Sequence, residues 1–290
     1  MDRALSGKVA IVTGASRGVG KGIALQLAEA GATVYITGRT LLPNGRGTSL
    51  TDCVEEIKKR GGRAIPVQCD HEKDDEVKDL FDRVAREQHG RLDILVNNAY
   101  SASPDCIDHI KEPKSFWDPE PLETWNHASN LGIRGVYICA VHAARLMVPA
   151  RKGLIVNISS EGGLTYCFNS WYSIGKAAAD RIASDCAVEL REHNVAFLSL
   201  WPGATRTEIF MEWAENCQPA NFLQSAEKER YMLNSESPEF PGKCIVHLGI
   251  GKLTCSETIQ SFVYLFSCRL ILVYINVALS SSVDGWSNRN

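Results

Sequence analysis

The chain has 290 residues, 44% of them hydrophobic and 22% charged, with a formal net charge of -3. That composition supports a sizeable globular core and lacks the basic excess expected of a nucleic-acid binder. Its 10 cysteines are scattered, with neither a Cys-x-x-Cys pair nor an adjacent His/Cys cluster, so they read as reduced thiols rather than a disulfide framework or a metal site.

In chain order, short β-branched runs alternate with longer stretches of helical periodicity. The runs are Lys8–Thr13, Thr33–Thr37, Arg63–Val67, Leu92–Val96, Leu154–Ile158 and Val195–Trp201. The helical stretches are Gly18–Ala30, Leu50–Arg60, Asp74–Gln88, Thr124–Met147 and Ser173–His193. This alternation predicts an α/β fold, a single doubly wound parallel sheet with helices on both faces. Residues 1–250 are expected to form that domain, and 251–290 an atypical apolar C-terminal segment. The first apolar run, Val9–Val12, is too short for a signal peptide and leads straight into glycines. Tyr100–Pro121 is a long, proline-rich connection of the kind that serves function in compact domains.

Thr13-Gly14-Ala15-Ser16-Arg17-Gly18-Val19-Gly20 follows the first strand and opens the first helix. Gly14 permits the tight turn, Gly18 lets the backbone approach a pyrophosphate, and Gly20 lets helix and strand pack closely. Gly14, Ser16, Arg17, Gly18, Val19 and Gly20 are therefore candidate cofactor-binding residues, with the helix N-terminus facing the phosphates. The place where an NAD enzyme sets an acid for the ribose 2′-hydroxyl is Gly38, followed by Arg39. Two guanidiniums, Arg17 and Arg39, suit a 2′-phosphate, so NADP(H) is expected ahead of NAD(H).

Tyr172-Ser173-Ile174-Gly175-Lys176 sets a phenol and an ammonium four residues apart on one helix face. A phenol, with a free pKa of about 10, is a poor acid at neutral pH, and a nearby ammonium lowers that value by stabilising the phenolate. The context strengthens the pair. Leu154–Ser160 is a buried strand ending in hydroxyls, Asn97-Asn98-Ala99 closes the fourth strand, and Pro202-Gly203 follows the sixth with Thr205 and Thr207 behind it. Open α/β sheets bind ligands at such strand ends.

Taken together, these motifs resemble the short-chain dehydrogenase/reductase superfamily in its compact single-domain branch, over roughly Leu5 to Leu248. Gly38-Arg39, Asn98-Ala99-Tyr100, Arg145–Ala150 and Leu200–Gly203 are, more narrowly, similar to one particular member. The resemblance implies that Tyr172 is the general acid, that Lys176 lowers its pKa and bonds the nicotinamide ribose, and that Ser160 polarises the substrate oxygen, with Ser159 as the fallback. It implies that Asn130 holds a relay water, although the surrounding helix departs from the usual Asn-x-x-Gly spacing. It also assigns Asp70 to the adenine, Asn97 or Asn98 to the adenosine side, and Thr207 to the nicotinamide amide or the phosphates. The small residues Gly175–Ala179 serve packing either between two copies of the chain or within one. The cytosolic side of the endoplasmic reticulum is the location implied, with the cytosol as the alternative.

Seven histidines without metal-ligand spacing argue against a metal site. Tyr100, Phe116, Trp117, Phe168, Trp171, Phe210, Met211 and Trp213 gather around the expected pocket and point to an apolar carbonyl substrate such as a steroid, quinone or xenobiotic ketone. Phe262–Leu279 is strongly apolar but interrupted by Ser267, Arg269 and Asn276. It reads as a last strand around Leu270–Val277, as a membrane-surface contact through 262–279, or as a disordered end. An NADPH-dependent carbonyl reductase is the leading expectation. An NADP-binding sensor or scaffold, its pocket spoiled by the altered C-terminus, is the competing one.

Overall fold

The computed structural model describes residues 3–100, 115–216, 233 and 235–250, with the backbone of 262–266 and 269–274 and the backbone alone at 127, 128 and 213. Six strands, β1 (Val9–Val12), β2 (Thr33–Gly38), β3 (Arg63–Gln68), β4 (Ile94–Asn97), β5 (Gly153–Ile158) and β6 (Val195–Trp201), pair in parallel in the order β3-β2-β1-β4-β5-β6. Every residue of β1 and β4 is buried, as a strand covered on both faces requires. Alternate side chains go to opposite faces. Ala10 and Val12 join the cluster under α1 (Gly18–Glu29), α2 (Leu50–Lys59) and α8 (Glu239–Gly249), while Val9 and Ile11 join the one under α3 (Asp74–Glu87), α5 (Val136–Ala150) and α6 (Ser170–Leu190). A fully buried Ile11 contributes about 1.5–3 kcal/mol by leaving water. The sheet is doubly wound, as the alternation predicts.

Strand order runs outward from β1 in one direction and from β4 in the other. The crevice beyond their C-terminal ends is therefore the place for a ligand.

The predicted helix Thr124–Met147 is divided. α4 (Pro121–Ser129) passes through a π-helical turn, Asn130–Gly135, into α5. A π turn carries one extra residue and rotates what lies on either side of it by most of a right angle. Among the described residues, Pro121–Ala150 is the helix long and apolar enough to cross a membrane by length and composition. Its second half packs on β4, β5 and α6. α6 begins at Ser170 rather than Ser173, because Asn169 Oδ1 accepts the Tyr172 N–H at 2.9 Å and caps it. α7 (Glu208–Asn216) follows β6.

The C-terminal segment places β7 (Phe262–Phe266) and β8 (Arg269–Tyr274) on the open edge of β6. Both pairings are antiparallel, and β8 meets β6 through Ser199↔Tyr274, Leu200↔Val273 and Trp201↔Leu272. The sheet thus gains two strands, of which β8 overlaps the expected Leu270–Val277 region. Part of the long connection, 101–114, and the tail at 251–261, 267–268 and 275–290 lie outside the described residues. The six described cysteines are free thiols, and burial pushes Cys53 and Cys69 up to about 12, far from reactive thiolate.

Candidate active site

The end of β4 is stitched to the turn after β1. Thr13 Oγ1 accepts the backbone N–H groups of Asn98 and Ala99, each at 2.9 Å, and Asn98 Nδ2 donates to Thr13 O at 2.9 Å and Gly14 O at 3.0 Å. This closeness explains the glycines. A Cβ on Gly14 would lie 2.8 Å from Ala99 Cα, and one on Gly20 would lie 2.3 Å from Asn98 Nδ2. Behind them Asn97 faces inward: its amide donates to Asn157 Oδ1 at 3.0 Å and Val136 O at 3.3 Å, and Asn157 Nδ2 donates to Ala179 O at 2.9 Å. Asn97 is therefore a strut between β4, β5 and the two helices, while Asn98 faces the crevice.

A cavity of about 280 Å³ occupies that crevice. Gly14, Ser16, Arg17, Gly18, Val19 and Gly20 form its floor, Gly38 and Arg39 one rim, Asp70 and His71 another, and Asn98, Tyr100 and Thr207 the far side. Arg17 stands at the N-cap of α1 without a capping bond from its side chain. The Gly18 N–H beside it donates to Glu208 Oε2 at 2.8 Å. A carboxylate oxygen seated on this turn shows that the loop accepts an anion, as a helix N-terminus should. The residues fit a nicotinamide dinucleotide: the loop N–H groups suit a pyrophosphate, and the exposed Arg17 and Arg39 and the Asp70 carboxylate line the same cavity. Thr207 Oγ1 accepts the Phe210 N–H at 3.3 Å, so it also starts α7.

The reactive groups converge from β5 and α6. Ser160 follows β5 and turns the chain, its Oγ accepting the Gly162 N–H at 3.1 Å. The Tyr172 hydroxyl donates to the same Ser160 Oγ at 2.9 Å. Ser159, the fallback, is buried and points instead at the Lys176 carbonyl, 3.4 Å away. Geometry thus places Ser160, not Ser159, beside Tyr172. Phe168 adopts a left-handed φ of 59° just before α6 and sets its ring edge-on to Tyr172 at 5.0 Å. Lys176 is 8% exposed, and its Nζ donates to Ile158 O at 3.0 Å. That Nζ lies 5.6 Å from the centre of the Tyr172 ring and 4.6 Å from that of Tyr100.

Asn130 is not brought to this pair. It lines an outer cavity with Glu72, Glu120, Leu122, Glu123 and Asn126, and among the described residues no hydrogen bond links it to Tyr172 or Lys176. The π turn that it opens accounts for the difference.

Three residues and one contact escaped the sequence reading of the site. Asp180 lies one helical turn beyond Lys176 and accepts Trp201 Nε1 at 3.1 Å, and burial holds its carboxyl above the usual range. The Tyr172, Lys176, Asp180 spacing was a signal available for it. His71 is buried against Thr37 Oγ1 at 2.7 Å, and desolvation pulls its pKa down to about 4. Glu208 and the contact of Tyr100 with Lys176 had no local signal. Of the aromatics expected around the pocket, Tyr100 lines the cavity, Phe116 and Trp117 are 70% and 72% exposed, and Trp171 is buried. Among the described residues no group of three His, Cys, Asp or Glu side chains is placed to hold a metal.

A model of the short chain dehydrogenase family matches residues 8–218. The chain is 51% identical over 245 residues to dehydrogenase/reductase SDR family member 1 of Mus musculus, covering 84% of this chain and 75% of that one. A metagenomic short-chain oxidoreductase solved in complex with NADP superposes with a TM-score of 0.67 at 26% identity, covering 89% and 96% of the two chains. A 7α-hydroxysteroid dehydrogenase complexed with NADH and 7-oxo glycochenodeoxycholic acid superposes at 0.69 with 28% identity, covering 85% and 89%. The particular member that Gly38-Arg39, Asn98-Ala99-Tyr100, Arg145–Ala150 and Leu200–Gly203 resemble is the same family member 1 matched in Mus musculus. With its parallel six-strand sheet, its glycine turn and its Tyr172–Ser160 contact all in the crevice, the chain belongs to the short-chain dehydrogenase/reductase family of oxidoreductases.

Proposed function

We propose that the protein reduces an apolar carbonyl compound at the expense of NADPH, with Tyr172 as the proton donor. The observation that carries this reading is the Tyr172 hydroxyl resting 2.9 Å from Ser160 Oγ, with the buried Lys176 ammonium one turn away. A carbonyl oxygen inserted between the two hydroxyls accepts a hydrogen bond from each. Bound reduced nicotinamide supplies the hydride that reaches the carbonyl carbon. As the C=O bond becomes a C–O bond, the Tyr172 proton passes to oxygen and the product is the alcohol. Lys176 stabilises the phenolate left behind, which regains its proton from water.

Arg17 on the floor and Arg39 on the rim, with no carboxylate at the end of β2, support NADPH over NADH. The exposed Phe116 and Trp117 and the ring of Phe168 support an apolar substrate. The pairing of β8 with β6 supports the strand reading of the tail over the membrane-surface one.

Tyr172→Phe tests the proposal. NADPH consumption across a panel of ketones, aldehydes and quinones is expected to fall at least about a hundredfold, because only the transferable proton is removed. NADPH affinity, read by cofactor fluorescence, is expected to stay within about twofold, since the ring remains. A variant that retains more than a few per cent of the rate overturns the role of Tyr172. A wild-type protein that binds NADPH and turns over none of the panel is a sensor rather than a reductase.

A further inference from the structure

The chain reads Asn97-Asn98-Ala99-Tyr100, and the last residue puts an aromatic ring where the reactive groups meet. Its backbone is fixed by the Ala99 N–H, which donates to Thr13 Oγ1 at 2.9 Å. The half-buried ring stands edge-on to Tyr172 at 5.8 Å and 86°. Its centre is 4.6 Å from Lys176 Nζ, nearer than that of Tyr172 itself at 5.6 Å. An ammonium within about 6 Å of a ring face is attracted by the ring quadrupole, and more strongly where water is excluded. Lys176 is only 8% exposed, so its charge must be met by protein. The Ile158 carbonyl accepts from it at 3.0 Å, and the Tyr100 ring lies over it.

The wall behind the ring comes from the π turn. Gly132 lies against Tyr100, where a Cβ would sit 3.5 Å from Cε2. The same turn carries Asn130 out to the separate cavity beside Glu72 and Glu123. We infer that Tyr100 is a positioning residue, whose ring face holds the Lys176 ammonium charged and in place beside Tyr172. The inference rests on Tyr172 being the proton donor. By stabilising the cation, the ring acts through Lys176 on the phenol.

Other ionisable groups nearby differ in their reach. Asp180, on α6, attracts Lys176 while its own carboxyl is raised by burial. Arg134 of the π turn pairs with Asp74 instead. Between β5 and α6, Glu161 is exposed and the Cys167 thiol is raised by burial.

The test compares Tyr100→Leu, which excludes water without an aromatic face, with Tyr100→Phe, which keeps the face and loses the hydroxyl. Tyr100→Met carries the same expectation as Tyr100→Leu should the latter not accumulate. Tyr172 is titrated by ultraviolet difference spectroscopy, each protein against its own Tyr172→Phe counterpart, with no substrate present. In Tyr100→Leu the midpoint is expected to rise by about half a unit to one unit. On a turned-over ketone of the panel, kcat is expected to fall about threefold to tenfold with KM within about twofold. Tyr100→Phe is expected to restore both. An unshifted midpoint and kcat in Tyr100→Leu overturns the inference, as does a Tyr100→Phe protein that behaves like Tyr100→Leu. A shifted midpoint in a protein that reduces no carbonyl keeps the contact and overturns the reductase reading instead.

Discussion

The two halves of the crevice are built on different principles. The half under the glycine turn works through backbone: Gly18 offers an N–H, and Gly14 and Gly20 give room for Asn98 and Ala99. The half around Lys176 works through side chains that arrive from three places, namely Tyr100 after β4, Ser160 after β5, and α6, with the π turn backing the Tyr100 ring. Backbone geometry follows from local spacing, so a short motif specifies the first half. Side-chain convergence depends on how helices rotate against the sheet, and one extra residue in the π turn changes it.

The largest expected effect tests a place where the first half relies on charged side chains. Gly38→Asp with Arg39→Ser removes one arm of the proposed phosphate clamp and adds an acceptor for the ribose 2′-hydroxyl. A Cβ at Gly38 finds its nearest neighbour at 3.4 Å, Leu50 Cδ2, which is ordinary contact. The ratio of NADPH to NADH affinity is expected to swing by about a thousandfold, roughly 4 kcal/mol, from lost charge-assisted bonds and a gained one. An unchanged ratio in fluorescence titrations would move the reading of the phosphate away from this rim.

A second experiment asks whether a buried side chain props up the backbone half. His71, with Cys139 Sγ 3.5 Å from Nδ1, has a folded pKa pulled down to about 4 by burial, so its imidazole stays neutral in the fold. The unfolded chain takes up a proton below its ordinary value of about 6.5, whereas the folded chain does not until pH is near the lowered one. Stability is therefore lost as pH falls across that window, by at most roughly 3 kcal/mol. His71→Gln cannot take the proton. In urea unfolding, the stability gap between wild type and variant should shrink over the same window, and a gap independent of pH refutes the assignment.

The smallest effect concerns the seam between the halves. Glu208, at the start of α7, occupies the Gly18 N–H in the structure. Glu208→Gln removes a competing anion and is expected to tighten NADPH binding by about twofold to fivefold. Unchanged affinity would mean that the carboxylate leaves the loop without cost.

The same division explains what was legible beforehand. Strands as short as Val9–Val12 declared themselves by apolar runs, and the glycine turn by its position between strand and helix. Tyr172 and Lys176 share a face because four residues make about one helical turn. Ser160 could be told from Ser159 only once β5 had a defined pleat, because adjacent residues face opposite ways. Asn130 was assigned by family resemblance although the spacing around it departs from Asn-x-x-Gly, and that departure coincides with the π turn that it opens, beside the outer cavity it lines. Asn97 and Asn98 are neighbours in sequence, yet one braces the core and the other lines the cavity, a distinction set by which side of β4 the crevice opens. In the tail, hydrophobicity marked a strand region but could not say that β8 would run antiparallel to β6.

The buried chain of amides from Asn97 to Asn157 to the Ala179 carbonyl joins segments 60 and 22 residues apart. Such bonds cannot form until the intervening strands and helices have crossed and docked, so they belong to the late, high-contact-order stage of folding. Each link also loses its partner as soon as β4, β5 or α6 moves away, leaving a polar group inside the core. Catalytic competence should therefore appear and disappear all at once with global folding. A partly folded form of this chain would retain helices and compactness before it recovered any turnover.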